Sequence, residues 1–194
     1  VVFNSATGQT LKLTNATTFN NVMLPDDGTT SVLKVNGTFN INGTLKTGAN
    51  RTLDMQTNNS ALNVVGTTDN SGEIKLGSQP AKFTGAVTNS GKIMASDGAV
   101  TFGETTNSGG ITCSTTTTVF NGAVTVSAGG TITGTEGTVT FGGNVTNDGE
   151  INGSSGEITF SGTYGSSTAT ETTPAKLTAS SGNTNFSSDA DFSY

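Results

Sequence analysis

At 194 residues the chain is long enough for one domain with a sizeable core, yet only 31% of it is hydrophobic and 11% charged, which excludes both a conventional globular core and a charge-driven disordered chain. The formal net charge is −6 and the eight basic residues are scattered singly, so no stripe neutralises a run of phosphates, and neither nucleic acid nor an anionic membrane surface is an expected partner. No apolar stretch approaches the roughly 20 residues that span a bilayer, and no transmembrane segment is expected.

The chain opens on Val1-Val2-Phe3, with no Met and no basic segment followed by an apolar one, and reads as a mature or excised segment. Leu11-Lys12-Leu13, Val22-Met23-Leu24, Leu33-Lys34-Val35, Phe39-Asn40-Ile41 and Leu53-Asp54-Met55 are alternating strand cores, irregularly spaced around Pro25-Asp26-Asp27-Gly28. Residues 1–55 are therefore expected to form irregular coils or a cap.

Residues 56–164 carry a period. Phe83, Phe102, Phe120, Phe141 and Phe160 follow one another at 19, 18, 21 and 19 residues, and Ile74, Ile93, Ile111, Ile132 and Ile151 repeat the same four spacings. A third series lies four residues after each Phe, at Val87, Thr106, Val124, Val145 and Tyr164, and Val64 with Thr68 extends it one repeat earlier. Within each repeat apolar residues alternate with small polar ones, as in Val100-Thr101-Phe102 and Ile158-Thr159-Phe160, the period of a strand with one buried face. Helix is excluded locally, because Thr, Val, Gly and Asn form helices poorly and no stretch places apolar residues at i, i+3, i+4 and i+7.

A turn separates the second and third strands of each repeat: Asn70-Ser71-Gly72, Asn89-Ser90-Gly91, Asn107-Ser108-Gly109 and Asn147-Asp148-Gly149. Asn and Gly tolerate the positive φ of a sharp corner. Ser127-Ala128-Gly129-Gly130 keeps the glycine and loses the Asn. Stacked Asn amides are expected to hydrogen-bond from one coil to the next.

Fixed spacing at every apolar position favours stacking of equivalent residues over an antiparallel sandwich, whose hairpins need no such period. The predicted fold is all-β: a right-handed parallel β-solenoid with about 19-residue coils of three short strands, and roughly ten coils at about 4.8 Å would make a rod on the order of 50 Å long. Residues 165–194, rich in Ser and Thr, are expected to be C-terminal coils or a cap, with Leu177, Phe186, Phe192 and Tyr194 as the apolar residues after Tyr164.

The chain has no His, which removes Ser-His-Asp and Cys-His catalysis, His-ligated zinc and the commonest general base. Glu73 and Glu150 share a repeat position that Lys92, Gly110 and Thr131 fill in between, which puts them too far apart for a glycosidase pair. Gly91-Lys92 is followed by Ile93, not by the Ser or Thr of a phosphate loop. Asp26-Asp27-Gly28, Asp189 and Asp191 are read as solvated carboxylates and not as a divalent-ion site. Cys113 is read as a small core residue, and the triplets Asn15-Ala16-Thr17, Asn36-Gly37-Thr38 and Asn144-Val145-Thr146 as products of composition. No enzymatic activity, metal or cofactor is expected.

The run from Leu62 to Tyr164, with its Val-Thr-Phe strands, Asn-Ser-Gly turns and Gly-x-Ile third strands, resembles the repeats of bacterial surface β-solenoids, the autotransporter passengers and filamentous-haemagglutinin-like adhesins. The resemblance covers about half the chain and implies an extracellular or cell-surface rod that displays binding surfaces. The expected function is a structural or adhesive module whose partners are a host matrix protein, a glycan or neighbouring copies of the surface protein. Ice or crystal-surface binding is the alternative: Thr101, Thr140 and Thr159 point outward at one repeat position, though Lys82 and Val119 interrupt the row. Polysaccharide binding would need exposed aromatic platforms, for which Tyr164, Phe186, Phe192 and Tyr194 are the candidates.

Overall fold

In the computed structural model the described residues are 1–14 and 17–166, together with the strands Lys176–Thr178 and Thr184–Phe186. Among the described residues all regular structure is β, arranged in three parallel sheets of nine, nine and eight strands. Within each sheet a strand pairs with the third strand before it and the third after it, so every circuit of the chain visits all three sheets once. The fold is a β-solenoid. Nine strands deep at about 4.8 Å per step, it is a rod of roughly 40 Å. The length is below the expected value because early coils are longer: Phe19, Ile41 and Val64 follow at 22 and 23 residues, the extra chain lying in the loop 25–30 and the turn 55–61. The strands from Gln9–Lys12 to Arg51–Asp54 belong to the same three sheets as the regular repeats.

Each sheet is named here by its inward residue. In the Phe sheet the register aligns Val64, Phe83, Phe102, Phe120, Phe141 and Phe160. The five Phe rings stack nearly parallel, with centroids 4.8 to 5.2 Å apart and interplanar angles of 3 to 13°. The coil translation imposes that spacing, and every ring is at most 1% exposed. In the Ile sheet Leu53, Ile74, Ile93, Ile111, Ile132 and Ile151 form the second buried row.

The third sheet has two inward rows. One holds Val22, Leu45, Thr68, Val87, Thr105, Val124, Val145 and Tyr164. The assignment of Thr106 to this row is corrected by one residue: Thr105 is buried and Thr106 faces solvent, because the loop after Phe102 is one residue shorter than the loop after Phe83. The other row contains the Asn side chains. Asn70 donates to Asn89 Oδ1 and Asn89 to Asn107 Oδ1, both at 2.7 Å and fully buried. Val126 takes the next place and breaks the ladder, after which Asn147 Nδ2 meets the Tyr164 hydroxyl at 2.9 Å.

The corner glycines follow a different rule from the expected one. Among the described residues positive φ occurs only at Asn59, Gly28, Gly37 and Gly129, so the Asn-Ser-Gly corners are not left-handed. A Cβ on Gly91 would instead run into the Gly72 carbonyl of the coil below. Coil-on-coil contact, not a turn conformation, demands glycine there; only the Asn-less corner uses a left-handed residue, Gly129 at φ +83°.

Candidate functional site

The outward faces of the regular coils are simple. In the Phe sheet the outward row runs Asn40, Asn63, Lys82, Thr101, Val119, Thr140 and Thr159, so the interruption of the Thr row is as expected. The Asn sheet carries a row that the sequence reading missed. Thr88, Thr106, Thr125 and Thr146 stand in register on four successive coils, all exposed or half-exposed. Counting forward from Phe hides this row behind the one-residue deletion; counting back from the Asn-Ser-Gly corner, each of Thr88, Thr106 and Thr146 immediately precedes its Asn.

A buried arginine lies where the long N-terminal coil departs from the pattern. Arg51 opens the strand Arg51–Asp54, and its side chain is 1% exposed. Nε donates to the Pro25 carbonyl at 2.6 Å, one terminal nitrogen donates to the Ser5 carbonyl at 2.8 Å and to the Ser31 hydroxyl, and the other lies 2.5 Å from Asp27 Oδ2. The loop is pre-shaped for this. Asp26 accepts from Gly28 N and from the Asn50 amide, and Asp27 accepts from Thr29 N and the Thr29 hydroxyl, which leaves its other oxygen for Arg51.

Those bonds hold both carboxyls below the usual carboxylate range: at Asp26 chiefly the Asn50 amide and then the Gly28 N–H, at Asp27 chiefly the Thr29 hydroxyl and then its N–H, with the Arg51 charge adding to each. Chemically the arrangement is a clamp, its guanidinium committed to four residues of its own chain, Ser5, Pro25, Asp27 and Ser31. Beside it an open depression of about 360 Å³ spans several coils, lined among others by Asn50, Arg51, Thr52, Glu73, Gly91 and Lys92, with no aromatic ring in its wall. Glu73 there accepts from the Thr52 hydroxyl and pairs with Lys75, both at 3.3 Å.

Glu73 and Glu150 sit in one outward row with Lys92, Gly110 and Thr131 between them, four coil steps or on the order of 19 Å apart. Cys113 is fully buried beside Thr118, and burial pushes its thiol up to about 12. Among the described residues no three His, Cys, Asp or Glu side chains gather as a metal site. Asp189 and Asp191 lie outside the described residues, as do Asn15 and Ala16.

The aromatic candidates fare unequally. Tyr164 is 6% exposed, packs edge-on against Phe160 at 4.9 Å and meets Asn147 through its hydroxyl, so it belongs to the core and offers no exposed platform. Phe186 stands opposite Phe160 in the strand register. Phe192 and Tyr194 lie outside the described residues.

No protein-family model matches the chain, and no curated protein or solved structure matches it either. No helix among the described residues is long and apolar enough to cross a membrane.

Proposed function

We infer that the chain is a non-enzymatic rod segment of an extracellular or bacterial cell-surface protein, a stiff stalk or adhesin module that holds attached parts at a fixed distance. The observation that carries this reading is the unbroken stack of five Phe rings inside three continuous parallel sheets. Bending such a rod would have to open a dry aromatic stack and three hydrogen-bonded ladders together, whereas a chain of beads bends at its linkers. The similarity of the Leu62 to Tyr164 repeats to autotransporter-passenger and filamentous-haemagglutinin-like repeats supports the location, and the Thr, Ser and Asn of the outer faces suit an exposed stalk.

The test is to display a binding module on cells through this chain or through a Gly/Ser linker of equal residue number and to measure capture under flow. The rod should hold the module at a fixed reach that the flexible linker lacks. Equal capture by the two would refute the spacer role, and retention by the chain without any module would make the chain itself the adhesive part. A second reading, ordering of water or of a crystal surface, is favoured by the uninterrupted row Thr88, Thr106, Thr125 and Thr146. Thermal hysteresis at micromolar protein would select it.

A further inference from the structure

The inward row that carries the Asn ladder runs, from one coil to the next, Leu24, Thr47, Asn70, Asn89, Asn107, Val126 and Asn147. Its side-chain bonds share one direction: Asn70 donates to Asn89, and Asn89 to Asn107. Asn89 Oδ1 and Asn107 Oδ1 therefore each have a donor from the coil before, and Asn147 Oδ1 accepts from the Gly149 N–H at 3.2 Å. Asn70 Oδ1 stands at the start of the ladder. It is fully buried and accepts no hydrogen bond from the chain.

Two hydroxyls beside it are in the same state. Thr47 and Thr68 are each 1% exposed, and neither Oγ1 bonds to any protein group. Other buried hydroxyls find partners: Thr105, next but one after Thr68 in its own row, donates to the Gly103 carbonyl at 3.1 Å, and Ser60 donates to the Val35 carbonyl at 2.7 Å. Thr47, Thr68 and Asn70 lie on two paired strands, Leu45–Thr47 and Thr68–Asn70. Thr47 is the register partner of Asn70, and Thr68 is two residues from Asn70 on the same inward face. An unpaired buried hydroxyl is worse for stability than the methyl of an equally shaped valine. Both rows accept valine elsewhere, at Val87 and Val124 in one and at Val126 in the other, so the hydroxyls of Thr47 and Thr68 point to a partner.

We propose that Thr47, Thr68 and Asn70 hold one buried water molecule, which donates to Asn70 Oδ1 and accepts from the two hydroxyls. Buried waters commonly make about three such bonds to polar groups that the chain itself leaves unpaired. The spacing suits it: strands stand about 4.8 Å apart, and a water with two bonds of about 2.8 Å at its tetrahedral angle spans roughly 4.6 Å. Thr47 is also shorter than its neighbours in the row, Leu24 and Asn70, which gives this rung the room. The ligand is water and not a cation because no carboxylate faces inward there. Asp69, between Thr68 and Asn70, points outward and pairs with Lys46 at 2.9 Å, so a buried ion would lack a counter-charge. The water completes the ladder where the apolar Leu24 gives way to the Asn series.

The experiment compares the unmodified chain with Thr47→Val, Thr68→Val and the double variant, which keep the shape of each side chain and remove the hydroxyl. Each single variant should lower the urea midpoint. Oxygen-17 relaxation dispersion, which counts long-lived internal waters, should find one fewer in the double variant. A raised midpoint in either single variant would show a hydroxyl without a partner and overturn the proposal. So would a lowered midpoint with an unchanged water count, which means a bond made within the chain. A high-resolution crystal structure of the unmodified chain reads the site without any variant. Density for a water within about 3.2 Å of all three oxygens is expected, and a Thr47 hydroxyl bonded directly to Asn70 Oδ1 would overturn the assignment.

Discussion

Asn89 donates its side-chain amide to Asn107 Oδ1 at 2.7 Å inside the core, one coil further along the rod. It accepts in turn from Asn70 at the same distance, and its amide also reaches the Gly110 carbonyl at 3.2 Å. One side chain therefore ties its own corner to the coils on both sides, in a setting where an unpaired polar group would be costly.

Asn89→Ala is expected to cost about 1–3 kcal/mol, because it leaves Asn107 Oδ1 without its donor in the core, while the Asn70 amide keeps only the Lys92 and Gly72 carbonyls. Asn63→Ala removes a similar amide bond, to Asn40 at 2.9 Å, but on the outer face, and should cost less than about 1 kcal/mol. Urea titration of the two variants measures the difference; equal losses would contradict the burial argument.

Phe120→Ala should lose about 3–5 kcal/mol, since it empties a fully buried site stacked on both sides by Phe102 and Phe141. Thr125→Ala, on the outward Thr row, should lose less than about 0.5 kcal/mol. The same titration checks both, and a large loss at Thr125 would mean that the outward row is structural.

Arg51→Met is expected to cost about 3 kcal/mol, because the Pro25 and Ser5 carbonyls lose their donor and the N-terminal loop loses its anchor. Hydrogen exchange should rise first in residues 1–31 and leave the Phe stack protected.

The same clamp has a pH dependence with a definite sign. Asp26 and Asp27 have folded pKa values below the ordinary 3.8, so the unfolded chain takes up their protons more readily. Their stabilisation is fully present above about pH 4 and is lost as pH falls through the depressed folded values. Amide exchange followed from neutral to acid pH should show the N-terminal coils loosening at the acid end only, and Asp26→Asn/Asp27→Asn should flatten that response.

Cys113 should be unreactive towards a thiol reagent at pH 8 in the folded protein, being fully buried with its thiol pushed up to about 12, and should react at once in denaturant. Reaction with the native chain at the rate of a free thiol would show that the coil around Thr112 and Thr118 opens.

The two ladders of Phe83 to Phe160 and Ile74 to Ile151 were legible in the sequence because a solenoid packs each residue on its equivalent one coil away, so the chain must repeat what the core repeats. The spacing also located the corners and the Asn stack. The tertiary structure decided what depends on the exact count of residues between strands. Only the register shows that Thr105 points in and Thr106 out, since one residue missing from the loop after Phe102 puts a count made forward from Phe on the wrong face of the strand that follows. Only the packing shows that Gly91 is required by the Gly72 carbonyl of the coil below, and that Tyr164 is core, because these contacts join residues about one coil apart that no local pattern links. The clamp is the extreme case: Arg51 reaches Ser5, Pro25, Asp27 and Ser31 across 20 to 46 residues. Its partners are two carbonyls, a hydroxyl and a carboxylate in irregular chain, groups that carry no periodic signal, so three-dimensional folding alone brings them together.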